Sequence, residues 1–292
     1  MLLEKFLGFT NILIALGAGA TVLLTGISLG LDLELLDPSY LITALTGLGY
    51  TVQRLIKTRF FPQTARPIVV DFYKKFGLGL VLCWGAILLA SVNLVAIGGF
   101  GGVMGLEFTP QAHCMGVVLI ILGASYAIVP LREKPYLKLP LISIVWALAT
   151  VVYPVILVDS ISMVSIGVLC AAFIARLIYI AGITVPFDVR DLQIDDLKMK
   201  TMPQVIGKEQ ALRRAMWLVG GGGAIWCGLA LSGVVNPIVG YGLALHAFIT
   251  IPLVSPQIVN KFKRANHLTL ILDGMLSMQF VILLIWYLTI QT

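Results

Sequence analysis

An apolar run of about 20 residues is long enough to cross the hydrocarbon layer of a bilayer as a helix, and such runs repeat along this chain from end to end. They fall at roughly 6–30, 39–57, 77–97, 112–131, 139–158, 162–182, 211–232, 238–255 and 268–290. The pattern predicts an all-α integral membrane protein, with nine transmembrane helices in one bundle and residues 1–292 forming a single domain. Composition agrees. Hydrophobic residues make up 59% of the chain and charged residues 12%, whereas about a quarter of a soluble domain is charged. A membrane barrel needs alternating strands of about 10 residues, and the sequence lacks that alternation. The first run is too long for a cleaved signal peptide, and no small-residue cleavage site precedes polar sequence.

With nine spans, the N-terminus and the loops after even-numbered spans share one side of the membrane. Lys5 lies at the N-terminus, and Arg54, Lys57, Arg59, Arg66, Lys74 and Lys75 follow the second span. Arg132, Lys134 and Lys138 follow the fourth. Arg190, Lys198, Lys200, Lys208, Arg213 and Arg214 follow the sixth, and Lys261, Lys263 and Arg264 the eighth. Of all the Lys and Arg residues only Arg176, inside the sixth span, is outside this set. The opposite loops carry Asp32, Glu34, Asp37, Glu107 and Asp159. Basic loops stay cytoplasmic. The N-terminus is therefore expected inside and the C-terminus outside, in a multi-pass protein of the plasma (inner) membrane. The net charge of +6 then reports topology, and no nucleic-acid partner is expected.

Cys83, Cys114, Cys170 and Cys227 lie in or beside spans without a CxxC pair and read as small apolar packing residues. His113, His246 and His267 are dispersed, with no metal-ligand spacing. The run GGFGG at 98–102 reads as an external turn, and GGGG at 220–223 as a place where helices approach closely.

The region 188–196 is different. Four of the chain's 14 acidic residues, Asp188, Asp191, Asp195 and Asp196, fall within it. On a continuous helix, Asp188, Asp191 and Asp195 lie within an arc of about 60° and Asp196 points away. Three carboxylates on one face repel one another unless something positive sits among them. A solvated cytoplasmic face is the simple reading. The cluster, however, starts at the membrane surface after Pro186, and Arg190, Lys198 and Lys200 interleave with it. Together these describe a site for a divalent cation and a polyanion, since magnesium prefers one or two carboxylates plus phosphate oxygens and Lys and Arg hold the remaining phosphate charge.

The segment FDVRDLQIDDLKMKTMPQVIG resembles the second aspartate-rich motif of the UbiA-type intramembrane prenyltransferases, in which D-x-x-D-x-x-x-D precedes a basic residue and a Thr-Leu-Pro-like step ending in Gly. The matching positions are Asp188, Asp191, Asp195, Lys200, Thr201, Pro203 and Gly207. The resemblance implies a polyprenyl diphosphate donor held by Mg2+ on two aspartate motifs, after the second and sixth helices. It implies transfer of the prenyl group, through an allylic carbocation, to an aromatic or lipid-like acceptor among membrane lipids. Asp188, Asp191 and Asp195 are then the expected catalytic and metal-binding residues. Arg54, Lys57, Arg132, Arg176, Arg190, Lys198 and Lys200 are expected on the substrate diphosphate.

The chain resembles a divergent member that lacks the first motif, N-x-x-x-D-x-x-x-D. The corresponding text is GYTVQRLIKTRF. With Thr51 at the Asn position, Leu55 and Arg59 take the aspartate positions, and the next carboxylate is Asp71. The second motif is one residue short before Thr201, and Met199 stands where Gly is common. Two consequences stay open. Either Arg54, Lys57 and Arg59 replace one magnesium and neutralise diphosphate directly, or the protein binds an isoprenoid or a partner without chemistry. A transporter is the third class, and the concentration of charge at one face speaks against it.

Arg176 either contacts diphosphate, pairs with an aspartate or snorkels to the interface. Asp273 is either a site residue or the buried partner of a basic one. Tyr126, Trp146, Phe173 and Tyr179 either line a prenyl pocket or pack the core. The ends of the second and sixth helices are expected to face each other across the mouth of an apolar cavity, because opposite charges at one face are best placed together.

Overall fold

The computed structural model describes residues 2–31, 34–96, 109–127, 134–261 and 265–290, and no strand occurs among them. The helices are α1 (Leu2–Phe9), α2 (Ile12–Ser28), α3 (Leu36–Phe60), α4 (Pro67–Ala96), α5 (Pro110–Ala127), α6 (Lys138–Ala147), α7 (Tyr153–Leu157), α8 (Ile166–Arg190), α9 (Met202–Ile206), α10 (Lys208–Leu231), α11 (Pro237–Leu253), α12 (Pro256–Val259) and α13 (Ala265–Ile290). Among the described residues five stretches are long and apolar enough to cross a membrane: 67–94, 138–157, 166–190, 208–231 and 267–289. Helices 12–28, 110–125 and 237–253 are apolar but shorter. The outward faces carry Leu78, Leu82, Leu89, Ile120 and Trp217 exposed. So large an apolar exterior is costly against water and natural against lipid.

Two expected spans are broken, each for a local reason. The first run splits at Asn11, whose φ of 62° lies in the left-handed region. The carbonyls freed by the break are taken by side chains: Arg54 Nη1 donates to Gly8 O at 2.7 Å, Tyr73 Oη to Phe9 O at 2.8 Å and Trp84 Nε1 to Thr10 O at 3.0 Å. The fifth run holds a π-helical stretch at Leu148–Val152. Pro154 has no N–H to give the Thr150 carbonyl, and Thr25 Oγ1 of α2 donates to that carbonyl instead at 3.0 Å.

Boundaries also move. Helix α4 begins at Pro67, ahead of the expected 77, with proline at its first position where a missing N–H costs nothing. Helix α8 runs on to Arg190, past the expected 182, and carries Asp188 inside the helix despite Pro186.

The α8–α10 contact rests on glycine. A Cβ on Gly182 would stand 2.6 Å from Val219 Cγ2, and one on Gly222 would stand 2.9 Å from the Ala175 carbonyl. The GGGG run therefore serves the close approach expected of it; GGFGG lies outside the described residues. The cysteines depart from expectation. Cys83, Cys114 and Cys170 face outward, and only Cys227 is partly packed against the core.

Candidate functional site

Helix α8 ends at Arg190. Asp191 caps it, its N–H donating to Phe187 O at 3.0 Å. The chain then reverses in a turn, with the N–H groups of Ile194 and Asp195 both donating to Asp191 O at 2.8 Å. The Asp196 carboxylate accepts the Lys198 N–H at 2.8 Å and opens a short 3-10 turn, Leu197–Met199. Gln204 ties this turn to the start of α9: its Oε1 accepts the Thr201 N–H at 2.8 Å, and its Nε2 donates to Asp196 O at 3.2 Å. Pro203 sits in the first turn of α9, and Gly207, with a φ of 83°, joins α9 to α10. The Thr-x-Pro and Gly positions of the motif thus shape the loop.

The three aspartates do not share a helical face, because the helix stops between the first and the second. Asp188 is only 1% exposed and Asp195 is also buried. Between them stands Lys138, the first residue of α6, with Nζ 2.8 Å from Asp188 Oδ1 and 2.5 Å from Asp195 Oδ2. Asp191 turns the other way, to its own neighbour. Arg190 Nε and Nη2 each donate to one of its carboxylate oxygens at 2.7 Å, and Arg190 Nη1 donates to Thr269 Oγ1 at 3.1 Å. Burial alone would raise Asp191, but its hydrogen bonds to Arg190 and the charges of Arg190, Lys138 and Arg66 hold it below the usual carboxylate range.

Arg190 and Asp191 form one wall of a cavity of about 110 Å³, several times the roughly 30 Å³ share of a liquid water. Arg54, Lys57 and Thr58 of α3, Arg66 before α4, Gly8 and Phe9 of α1, and Thr269 of α13 supply the rest, with Ala65, Val69 and Ile194. The ends of α3 and α8 therefore meet at one pocket, as expected, but charged side chains line it in place of the apolar cavity expected there. Among the described residues four cationic side chains and one carboxylate line it. Burial, with the charge of nearby Arg190 and then Arg54, pushes Arg66 down to about 10 against the pull of Asp191. Asp273 is buried behind the pocket, within electrostatic reach of Arg54 and Arg190.

Several expected residues lie elsewhere. The α3 residues that line the pocket are Arg54, Lys57 and Thr58; Leu55 points to Gly77 of α4 and Arg59 is exposed. Thr51 is buried in another network, accepting from Asn11 Nδ2 at 2.8 Å. The pocket-facing pair four residues apart is thus Arg54 and Thr58, one step off the register that starts from Thr51. Lys198 and Lys200 are exposed, because the 3-10 turn swings them to solvent, and Lys200 lies over the Tyr136 ring at 5.7 Å. Arg176 is 2% exposed with Nε and Nη2 lacking partners. It sits twelve residues from Asp188 along α8, about 18 Å at 1.5 Å per residue, so it neither snorkels nor reaches the pocket. Trp146 and Tyr179 are packed in the core, with Phe173 partly buried against it. Arg132 and the side chain of Tyr126 lie outside the described residues.

Arg66 lines the pocket and Lys138 joins Asp188 to Asp195 beside it, although the aspartate motif does not include either basic residue. In sequence Lys138 is one more basic residue of the REKPYLK turn. The signal that marks it is placement: a lysine that opens an apolar helix sits deeper than its loop neighbours.

Magnesium does not fit these residues. It requires an octahedral oxygen shell. Lys138 occupies the space between Asp188 and Asp195, and Arg190 holds both oxygens of Asp191. One buried oxygen of the cluster, Asp188 Oδ2, has no hydrogen bond or ion pair among the described residues. Among the described residues no group of three or more His, Cys, Asp or Glu side chains is placed to hold a metal ion. Asp196→Ala and Arg59→Ala should therefore change anion affinity less than twofold by titration calorimetry, since both side chains face solvent. A tenfold loss from either would displace the site from this pocket.

No family model and no curated protein matches the chain. Solved structures do. A UbiA homologue from Aeropyrum pernix K1 superposes with a TM-score of 0.62 at 16% identity, over 94% of this chain and 98% of that one. A UbiA homologue from Archaeoglobus fulgidus bound to GPP and Mg2+ superposes with a TM-score of 0.60 at 14% identity, over 95% and 99%. A digeranylgeranylglyceryl phosphate synthase structure gives a TM-score of 0.53 at 11% identity, over 96% and 97%. The chain has the all-helical membrane fold of the UbiA homologues along nearly its whole length.

Proposed function

We propose that this chain is a membrane prenyltransferase-like protein that takes a polyprenyl diphosphate and transfers its prenyl group to an aromatic or lipid-like acceptor. The observation that carries the reading is the meeting of Arg54, Lys57, Arg66 and Arg190 at one pocket between the ends of α3 and α8, in the fold of a homologue solved with GPP. Ionisation of an allylic diphosphate breaks the C–O bond, and the electron pair leaves with the diphosphate. Fixed cations around that anion stabilise the developing charge without reorganisation. The acceptor's electron pair then closes on the carbocation, and the acceptor's proton passes to the departed diphosphate.

A second reading, an isoprenoid-binding relative without turnover, is favoured by one observation. Asp191, the carboxylate on the pocket wall, is held at both oxygens by Arg190, which leaves it poorly placed as a base. Incubating purified protein with labelled prenyl diphosphates, with and without aromatic acceptors, separates the two. Prenylated product supports the transferase, and binding without product supports the binder. If no prenyl diphosphate binds at all, both readings fall.

The same proposal takes residues 1–292 as one domain that spans the plasma membrane nine times, with the N-terminus and the pocket on the cytoplasmic side. Its support is the one-sided distribution of Lys and Arg. With Lys198→Cys, an impermeant thiol reagent should label the protein only after cells are opened, against a background lacking the exposed native cysteines. Labelling in intact cells would reverse the orientation and remove a cytoplasmic donor.

A further inference from the structure

Resting on that reading, we infer that the diphosphate is bound without a divalent ion, with the Lys138 ammonium standing where a metal would bridge Asp188 and Asp195 and with Arg54, Lys57, Arg66 and Arg190 holding the anion. Three observations converge. The ammonium lies 2.8 Å and 2.5 Å from the two carboxylates, so the space between them is filled and one of their two charges is offset by a tethered group. The third carboxylate, Asp191, is engaged at both oxygens by Arg190. And among the described residues the pocket wall carries Arg54, Lys57, Arg66 and Arg190, with Asp191 on the wall and Asp273 within electrostatic reach, a mainly basic lining that suits a polyanion better than a further divalent cation.

The chain's departure from the two-motif pattern then has a chemical sense. A diphosphate delivered with magnesium needs carboxylates on both sides to hold the metal. A diphosphate delivered without it needs permanent cations, and guanidinium groups suit phosphate oxygens through paired, directional N–H donors. On α3 the pocket-facing positions are Arg54, Lys57 and Thr58, donors in place of acceptors. At the end of α8 and in the turn beyond it the aspartates remain, but they serve to fix Lys138 and Arg190.

The test is calorimetric titration of the protein in nanodiscs with a non-hydrolysable geranyl thiolodiphosphate, and separately with inorganic pyrophosphate, each in EDTA and in millimolar magnesium. The expected result is binding of the prenyl analogue in EDTA at least as tight as in magnesium, with Lys57→Gln and Arg66→Gln each weakening it at least tenfold in EDTA. Pyrophosphate should likewise bind in EDTA at least as tightly as in magnesium, because the pocket reads the diphosphate end. A second readout is thermal. Magnesium should leave the melting temperature of the wild type unchanged and raise that of Lys138→Met, in which two carboxylates stand open to the ion. Binding that requires magnesium in the wild type overturns the inference and leaves the proposed function standing. No binding in either condition overturns both. If Lys138→Met does not fold, the Lys57→Gln and Arg66→Gln titrations decide the matter alone.

Discussion

Replacing Lys138 by Met should destabilise the protein by about 3–5 kcal/mol, the usual cost of removing one partner from a buried charge pair. Methionine keeps the apolar stem and removes only the ammonium, so the loss reports charge and not a cavity. Asp188 and Asp195 would then face each other, both buried, without the cation that now lies between them. Equilibrium unfolding in mixed SDS micelles measures the change. The paired variant Lys138→Met/Asp188→Asn should recover a substantial part of the loss, because it removes one of the two opposed charges. If Lys138→Met costs less than about 1 kcal/mol, the range of an exposed ion pair, the interaction is not a buried bridge. The position explains why one side chain matters this much. Lys138 begins α6 beside the last turns of α8, so its loss loosens both the helix start and the turn from Asp191 to Asp196 that positions the pocket wall.

Arg190→Gln should have the largest effect on ligand affinity, roughly a hundredfold loss, equivalent to about 2.7 kcal/mol. Hydrogen bonds to charged groups are worth about 1.5–3 kcal/mol each, and this substitution acts twice. It removes a guanidinium from the pocket wall, and it releases Asp191, whose two 2.7 Å contacts to Arg190 are lost, to confront the incoming anion. Arg190→Lys should rescue little of it, because a single ammonium cannot engage both carboxylate oxygens and Thr269 at once. The measurement is the same calorimetric titration with a prenyl thiolodiphosphate. A loss confined to threefold, or full rescue by lysine, would show that Arg190 lies outside the anion's contacts.

Much of this is legible in one dimension. The membrane character comes from the apolar runs, because nothing but a helix or a closed barrel can satisfy its backbone in lipid. The aspartate cluster at 188–196 stands out because charge is rare in this sequence, and the meeting of α3 with α8 is expected from opposite charges gathered at one face. The small-residue contact of α10 is readable from GGGG, since only glycine permits that approach.

Other features depend on partners far apart in sequence. A helical reading of Asp188, Asp191 and Asp195 requires the helix to run on, whereas it ends at Arg190 and the turn sends Asp191 and Asp195 in different directions. The break at Asn11 and the π stretch at 148–152 are stabilised by Arg54, Tyr73, Trp84 and Thr25, donors on other helices. The role expected of Arg176 at the pocket is removed by its distance along α8.

By itself the sequence determined that the chain is a helical membrane protein with an acidic cluster at 188–196. Periodicity and charge are additive properties of a chain and survive any packing. Only the tertiary structure decided what the acidic cluster holds. A carboxylate that pairs with Lys138, 57 residues away for Asp195, and one that could hold magnesium look identical in sequence. The choice rests on where a single ammonium sits, within about 3 Å of both carboxylates, which is set by the packing of α6 against α8.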